Sequence, residues 1–284
     1  MATGLSIHIG LNEVDPGHYG SSMPLAGCVN DANDMAALAQ SVGLQPTQLT
    51  NGEATAAAVT DALSHAAGAL GNGDILLVTY SGHGSFVPDT NQDENDGRDE
   101  TWCLFDRQMP DDELYARWSA FRAGVRILVL SDSCHSGSVV KIARDQAAAR
   151  ERLAGGGGYA AEAMAGEPPR VRAISTANAL QIFQNNARMY LEVESRFPRG
   201  RGADVRASVL LISACQEWEL SYDGNPNGVF TGALLRVWNG GAFQGTYPEL
   251  HAAIHAETAS VQRPNYFKAG VPSPAFEAQR AFTV

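Results

Sequence analysis

The stretch Asp74-Ile75-Leu76-Leu77-Val78-Thr79-Tyr80, running straight into Ser81-Gly82-His83-Gly84, decides the fold. Its continuous apolar character is that of a strand buried on both faces of a parallel sheet. The pattern returns at Val125–Leu130 (VRILVL), which runs into Ser131-Asp132-Ser133-Cys134-His135-Ser136-Gly137. Each strand thus ends in a turn that carries a reactive side chain. The neighbouring Gly and Ser residues suit a sharp turn and leave backbone N–H groups free. In parallel α/β sheets, ligands and chemistry gather beyond the carboxyl ends of the strands. His83 and Cys134 are therefore predicted to meet there.

Outward from these strands, the chain alternates strand and helix. Leu5–Gly10 reads as a first strand and Asn30–Ser41 as a helix with an Asn or Asp cap, stopped by Gly43. Leu44–Leu49 holds a short strand, and the alanine-rich Thr55–Leu70 a helix ended by Gly71-Asn72-Gly73. Residues 89–113 form a polar, acid-dense excursion, and Asp112–Arg122 a helix leading into VRILVL. Residues 141–206 lack periodicity and contain Gly155–Gly158, Pro168-Pro169 and scattered arginines, a functional loop or a flexible linker. Order resumes with a strand at Ala207–Ala214 and a helix at Val229–Trp238. The alternation predicts an α/β fold of parallel strands with right-handed crossovers.

A thiolate attacks a carbonyl carbon, and a neighbouring imidazole can take the thiol proton and return it to the leaving amine. For either residue alone, a small buried thiol or a satisfied loop histidine is the commoner meaning. The paired turns favour catalysis. His135 is an alternative base, although adjacent residues at a strand end point apart.

The composition bounds the rest. The chain has 284 residues, 44% hydrophobic and 18% charged, enough for a sizeable globular core. No apolar run approaches the ~20 residues of a spanning helix. The start, MATGLSIHIGLNE, has no basic segment before an apolar core, so a cytoplasmic protein that does not engage membranes is expected. A net charge of −11 disfavours nucleic-acid binding. The cysteines Cys28, Cys103, Cys134 and Cys215 show no CxxC pairing, which argues against a zinc or dithiol site.

The segments YSGHGS and DSCHSG, together with Leu25–Asp31 (LAGCVND), Asp96–Glu100 (DGRDE), Asp111–Leu114 (DDEL) and Ser213–Gln216 (SACQ), resemble the metacaspases and orthocaspases among caspase-like cysteine peptidases. The 51-position step from His83 to Cys134 agrees with the ~50-residue interval of caspases. The resemblance is strong over residues 5–140 and moderate over 207–240. It implies a caspase–haemoglobinase fold: a mostly parallel sheet of about six strands with helices on both faces. Within one catalytic domain it implies a p20-like portion (1–140), a variable linker (141–206) and a p10-like portion (207–284).

The resemblance implies further that Cys134 is the nucleophile and His83 the general base and acid. The backbone N–H groups of Gly84 and Cys134 would hold the oxyanion. Asp31, Ser81 and Asp132 match the family's S1 residues, which take Arg or Lys before the cleaved bond. Taken alone, Asp31 also fits a helix N-cap and Asp132 a brace for its turn. Peptide substrates, self-cleavage at linker arginines (Arg144, Arg150, Arg152 or Arg170) and a monomer rather than a pair are expected.

Calcium activates many relatives through a DGxDE-type loop and the DDEL pair, which here offers Asp99, Asp111 and Asp112. Lys141, standing where such relatives often carry a further Asp, weighs against an obligatory cofactor. Two rival readings remain. One is a catalytically silent scaffold that binds partners, and the other a legumain- or separase-like peptidase.

Overall fold

The computed structural model describes residues 2–90, 96–134, 149, 160, 163–164, 170–197, 205–216 and 219–284. In chain order the elements are β1 (Gly4–Gly10), α1 (Pro16–Tyr19), α2 (Cys28–Ser41), β2 (Gln45–Thr50), α3 (Ala56–Ala69), β3 (Ile75–Ser81), β4 (Gly84–Pro88), β5 (Arg98–Cys103), β6 (Gln108–Pro110), α4 (Asp111–Ser119) and β7 (Arg126–Asp132). There follow α5 (Thr176–Asn185), α6 (Ala187–Glu194), β8 (Ser208–Ser213), α7 (Val229–Trp238), α8 (Tyr247–Thr258), β9 (Asn265–Gly270) and α9 (Pro274–Ala278).

Six strands form the central sheet in the order β2-β1-β3-β7-β8-β9, all parallel except β9. The expected mostly parallel α/β architecture is present. Successive side chains of a strand face opposite ways, and the apolar runs of β3 and β7 sort accordingly. Leu76, Val78, Ile127 and Val129 pack with Val59 and Leu63 of α3 and Trp118 of α4 on one face. Ile75, Leu77, Leu128 and Leu130 pack with Met35 of α2, Leu234 of α7 and Ile254 of α8 on the other. Two faces buried by one unbroken apolar run explain why these strands show no polar alternation.

Three features differ from the sequence expectations. The acid-dense excursion is partly folded: its β5 and β6 join β4, just before it, in a second, three-stranded antiparallel sheet whose strands of 5, 6 and 3 residues are too short to show a period. Part of the segment expected to be an irregular linker is folded: Ile174, Ala179, Ile182 and Tyr190 lie in the core around α3 and α4. Asp31 does not cap α2. The helix begins at Cys28 after Gly27, and Asp31 lies buried in its first turn.

The sheet register sets the site. Tyr80 pairs with Ser131 and Ser81 with Asp132, so the turns that follow β3 and β7 leave the sheet side by side. Among the described residues, no helix is long and apolar enough to cross a membrane.

Candidate active site

His83 is anchored by the core beneath it. The Tyr80 hydroxyl donates to the His83 carbonyl at 2.6 Å, and Cys103 N donates to the same oxygen at 3.0 Å. The Tyr80 ring is itself stacked on Trp102, 4.6 Å between centroids. The imidazole Nε2 lies 2.8 Å from the Met23 carbonyl, which can only accept, so Nε2 carries the hydrogen. Nδ1 is then the basic nitrogen, and it is buried with no hydrogen-bond partner among the described residues. Burial lowers the His83 pKa below its ordinary value, against the Met23 hydrogen bond and Asp223, which raise it. The side chain is therefore neutral at neutral pH, the form in which it can accept a proton.

Cys134 is fully buried. Its thiol donates to the Ser221 carbonyl at 3.5 Å and lies against Ser221 N. Gly84 and Cys134 sit back to back: a Cβ on Gly84 would fall 1.7 Å from the Cys134 carbonyl oxygen. Only glycine permits that approach, which aligns the two backbone N–H groups.

Those two N–H groups converge on one acceptor, the carbonyl of Arg172, at 2.9 Å from Gly84 N and 3.2 Å from Cys134 N. The chain bends at Arg172, between two isolated bridges. Arg172 N donates to Ser221 O at 3.0 Å, Asp223 N donates to Arg170 O at 2.8 Å, and Val171 bridges Tyr222. Beyond Arg172, Ala173 bridges Gly84, and Ile174 N donates to Gly84 O at 2.9 Å.

The Arg172 side chain, fully buried, enters a pocket of acids. Nη1 donates to Ser81 Oγ at 2.7 Å and pairs with Asp132 Oδ2 at 2.9 Å. Nη2 pairs with Asp31 Oδ2 at 2.9 Å and Asp223 Oδ1 at 2.8 Å. The carboxylates are braced by other donors. Asp31 accepts from Gly228 N and the Ser81 hydroxyl, Asp132 from Thr231 N and the Thr231 and Ser221 hydroxyls, and Asp223 from Ala26 N and Gly27 N. Buried charges need this degree of pairing, since an unpaired one costs several kcal/mol. Burial pushes the Asp31 carboxyl above its ordinary pKa, against the pull of Arg172 and with a push from Asp132. For Asp223, burial is outweighed by Arg172 and the two backbone donors, so its pKa falls.

Gly84 and Cys134 are thus brought together around the Arg172 carbonyl, and Asp31, Ser81 and Asp132 around its guanidinium, while His83 stands next to Gly84 in the same turn. Sequence reasoning missed Arg172 itself, Asp223, the Met23 carbonyl and Ser221. Arg172 stands among several arginines, and its one local signal is the alternation of Val171-Arg172-Ala173-Ile174 just before the capping Ser175 of α5. Of the linker arginines expected to be cut, Arg170 is exposed two residues before Arg172, and Arg144, Arg150 and Arg152 lie outside the described residues. His135 and Lys141 lie outside them too. Cys28, Cys103 and Cys215 are buried free thiols. The hydrogen bond from Cys134, followed by burial, raises the Cys215 pKa.

Of the expected calcium ligands, Asp99 lies in β5 and Asp111 and Asp112 open α4. Burial, then the charges of Glu100, Asp112 and Asp99, push the Asp111 carboxyl up to about 8. Among the described residues, no group of three or more His, Cys, Asp or Glu side chains is arranged to hold a metal ion.

The caspase-domain family matches residues 7–278 of this chain. The chain belongs to the caspase-domain family. Its curated relatives are metacaspases: Metacaspase-4 of Arabidopsis thaliana is 30% identical over 152 residues, covering 50% of this chain and 35% of the relative. Metacaspase-1 of Kluyveromyces lactis is 27% identical over 266 residues, 80% of this chain and 55% of the relative. The chain thus spans about a third to a half of the length of such relatives. Among solved structures, protein GSU0716 from Geobacter sulfurreducens superposes with a TM-score of 0.86 at 47% identity, over 99% of both chains. Caspase-1 from Spodoptera frugiperda matches at TM-score 0.53 and 11% identity, over 99% of this chain and 92% of that one. That likeness speaks for the caspase–haemoglobinase fold alone.

Proposed function

We propose that this metacaspase-like protein is a cysteine endopeptidase that cleaves after arginine, and that the first bond it cuts is its own Arg172–Ala173. One observation carries the reading. The Arg172 carbonyl accepts from both Gly84 N and Cys134 N while its guanidinium fills the acidic pocket, the pose a substrate needs.

The chemistry follows from the atoms present. Cys134 turns its thiol from Ser221 and gives its proton to His83 Nδ1. The thiolate adds to the Arg172 carbonyl carbon, and the resulting oxyanion is held by the Gly84 and Cys134 N–H groups. Donors of this kind contribute about 3–4 kcal/mol each to acyl transfer. His83 then protonates the Ala173 nitrogen as the C–N bond breaks, leaving a thioester on Cys134. Water, deprotonated by the same imidazole, hydrolyses it and frees Cys134 with a carboxylate on Arg172. Once Arg172 withdraws, the pocket is open to basic residues of other peptides.

The test is mass spectrometry of the incubated full chain. Fragments ending at Arg172 and beginning at Ala173 are expected, together with turnover of reporter peptides ending in Arg. Cys134→Ala and Arg172→Gln should each leave that bond whole. A Cys134→Ala protein that yields the same fragments would sink self-cleavage. Preference for peptides ending in Asp would favour a different specificity, and silence towards every peptide a scaffold.

A further inference from the structure

The guanidinium of Arg172 meets three carboxylates where the sequence motifs supply two. The third, Asp223, belongs to the segment 221–223 that also pairs with residues 170–172, so the same segment that holds the peptide backbone holds one side of its side chain. Ala26 N, at 2.6 Å, and Gly27 N, at 3.1 Å, fix its carboxylate in place. Opposite, Gly228 forms the wall: a Cβ there would fall 2.4 Å from Nη2 and 2.5 Å from both Cζ and Nη1. The guanidinium plane therefore lies directly against a backbone bare of side chain.

We propose that Asp223 and Gly228 make this pocket selective for arginine over lysine. The inference rests on reading the pocket as the site for the residue before the cleaved bond. A guanidinium is a planar fork whose two Nη atoms can point at different acids, whereas a lysine ammonium is one point charge. Here Nη1 serves Ser81 and Asp132, and Nη2 serves Asp31 and Asp223. A single nitrogen near Asp132 and Ser81 leaves Asp223 without a cation, and a buried carboxylate stripped of its partner is costly. A flat slot against Gly228 likewise admits the fork and rejects added bulk. Sites that reject an analogue by leaving their own polar groups unpaired discriminate far more strongly than sites that only measure size.

The experiment compares kcat/KM for two reporter peptides differing only in Arg or Lys before the cleaved bond. Wild type should prefer Arg by at least about 100-fold. Asp223→Asn, which keeps the side chain's shape and an acceptor for one of Ala26 N and Gly27 N, should lower the Arg value at least about tenfold more than the Lys value, with the change mainly in KM. Gly228→Ala tests the opposite wall and should lower Arg turnover at least about tenfold. Undiminished labelling of Cys134 by iodoacetamide shows in each variant that the nucleophile is intact. Equal wild-type use of Arg and Lys, or an Asp223→Asn protein that keeps the wild-type ratio, overturns this inference and leaves the peptidase reading standing. Cleavage of neither peptide by wild type overturns both.

Discussion

At the scale of the residue, the proposed mechanism makes the state of His83 decide whether Cys134 is activated. The Nε2 hydrogen is committed to the Met23 carbonyl, so in that mechanism proton transfer falls to Nδ1. Burial lowers its pKa from the ordinary 6.5, so the imidazole is protonated, and lost as a base, only as pH falls below that value. The acid limb of kcat/KM for an Arg peptide should accordingly have its midpoint below 6.5. A pH–rate profile centred near 7 or above on that limb would remove His83 from this role. His83 and Cys134 were legible in the sequence because each is a rare residue type in a marked turn. Met23 was not, because its contribution is a carbonyl that every residue carries, brought in from 60 positions upstream.

At the scale of the element, the turns after β3 and β7 work as one unit, and Gly84 is their joint. A methyl group there would strike the Cys134 carbonyl and force the turns apart, moving one or both N–H donors off the Arg172 oxygen. Loss of a single such donor costs roughly 10²–10³ in kcat. Gly84→Ala should therefore lower kcat by at least about that factor, with the Arg-to-Lys ratio retained because the acidic pocket is untouched. A variant with wild-type kcat would show that these N–H groups do not hold the oxyanion. The turns could be read from sequence because Gly and Ser punctuate apolar runs. Residues 170–194 could not: a run that bends at Arg172 between two bridges and a helix burying Ala179 and Ile182 gain their order from the surface they pack on, not from their own pattern. The same holds for Asp31, whose place in the first turn of α2 looks like a cap until its distant partner, Arg172, is known.

At the scale of the whole molecule, the proposed cut separates the chain without separating the fold. Cleavage at Arg172–Ala173 leaves β1 to β7 in one fragment and β8 and β9 in the other. β8 nevertheless pairs with β7 along Arg126–Ser131, in the middle of the six-stranded sheet. The later fragment also supplies Ile174, Ala179 and Tyr190 to one core face and Leu210, Phe230 and Leu234 to the other. Pulling it away would expose apolar surface on both faces of the sheet, at about 25 cal/mol per Å². The loss of one covalent link is small beside that contact. The cut protein should therefore elute from a sizing column at the same volume as the Cys134→Ala protein, and resolve into two fragments only in denaturant. Ser221 and Asp223, both on the later fragment, would then stay beside Cys134 and Asp31 on the earlier one. Fragments that part in native buffer would mean that the cut dismantles the site rather than opening it.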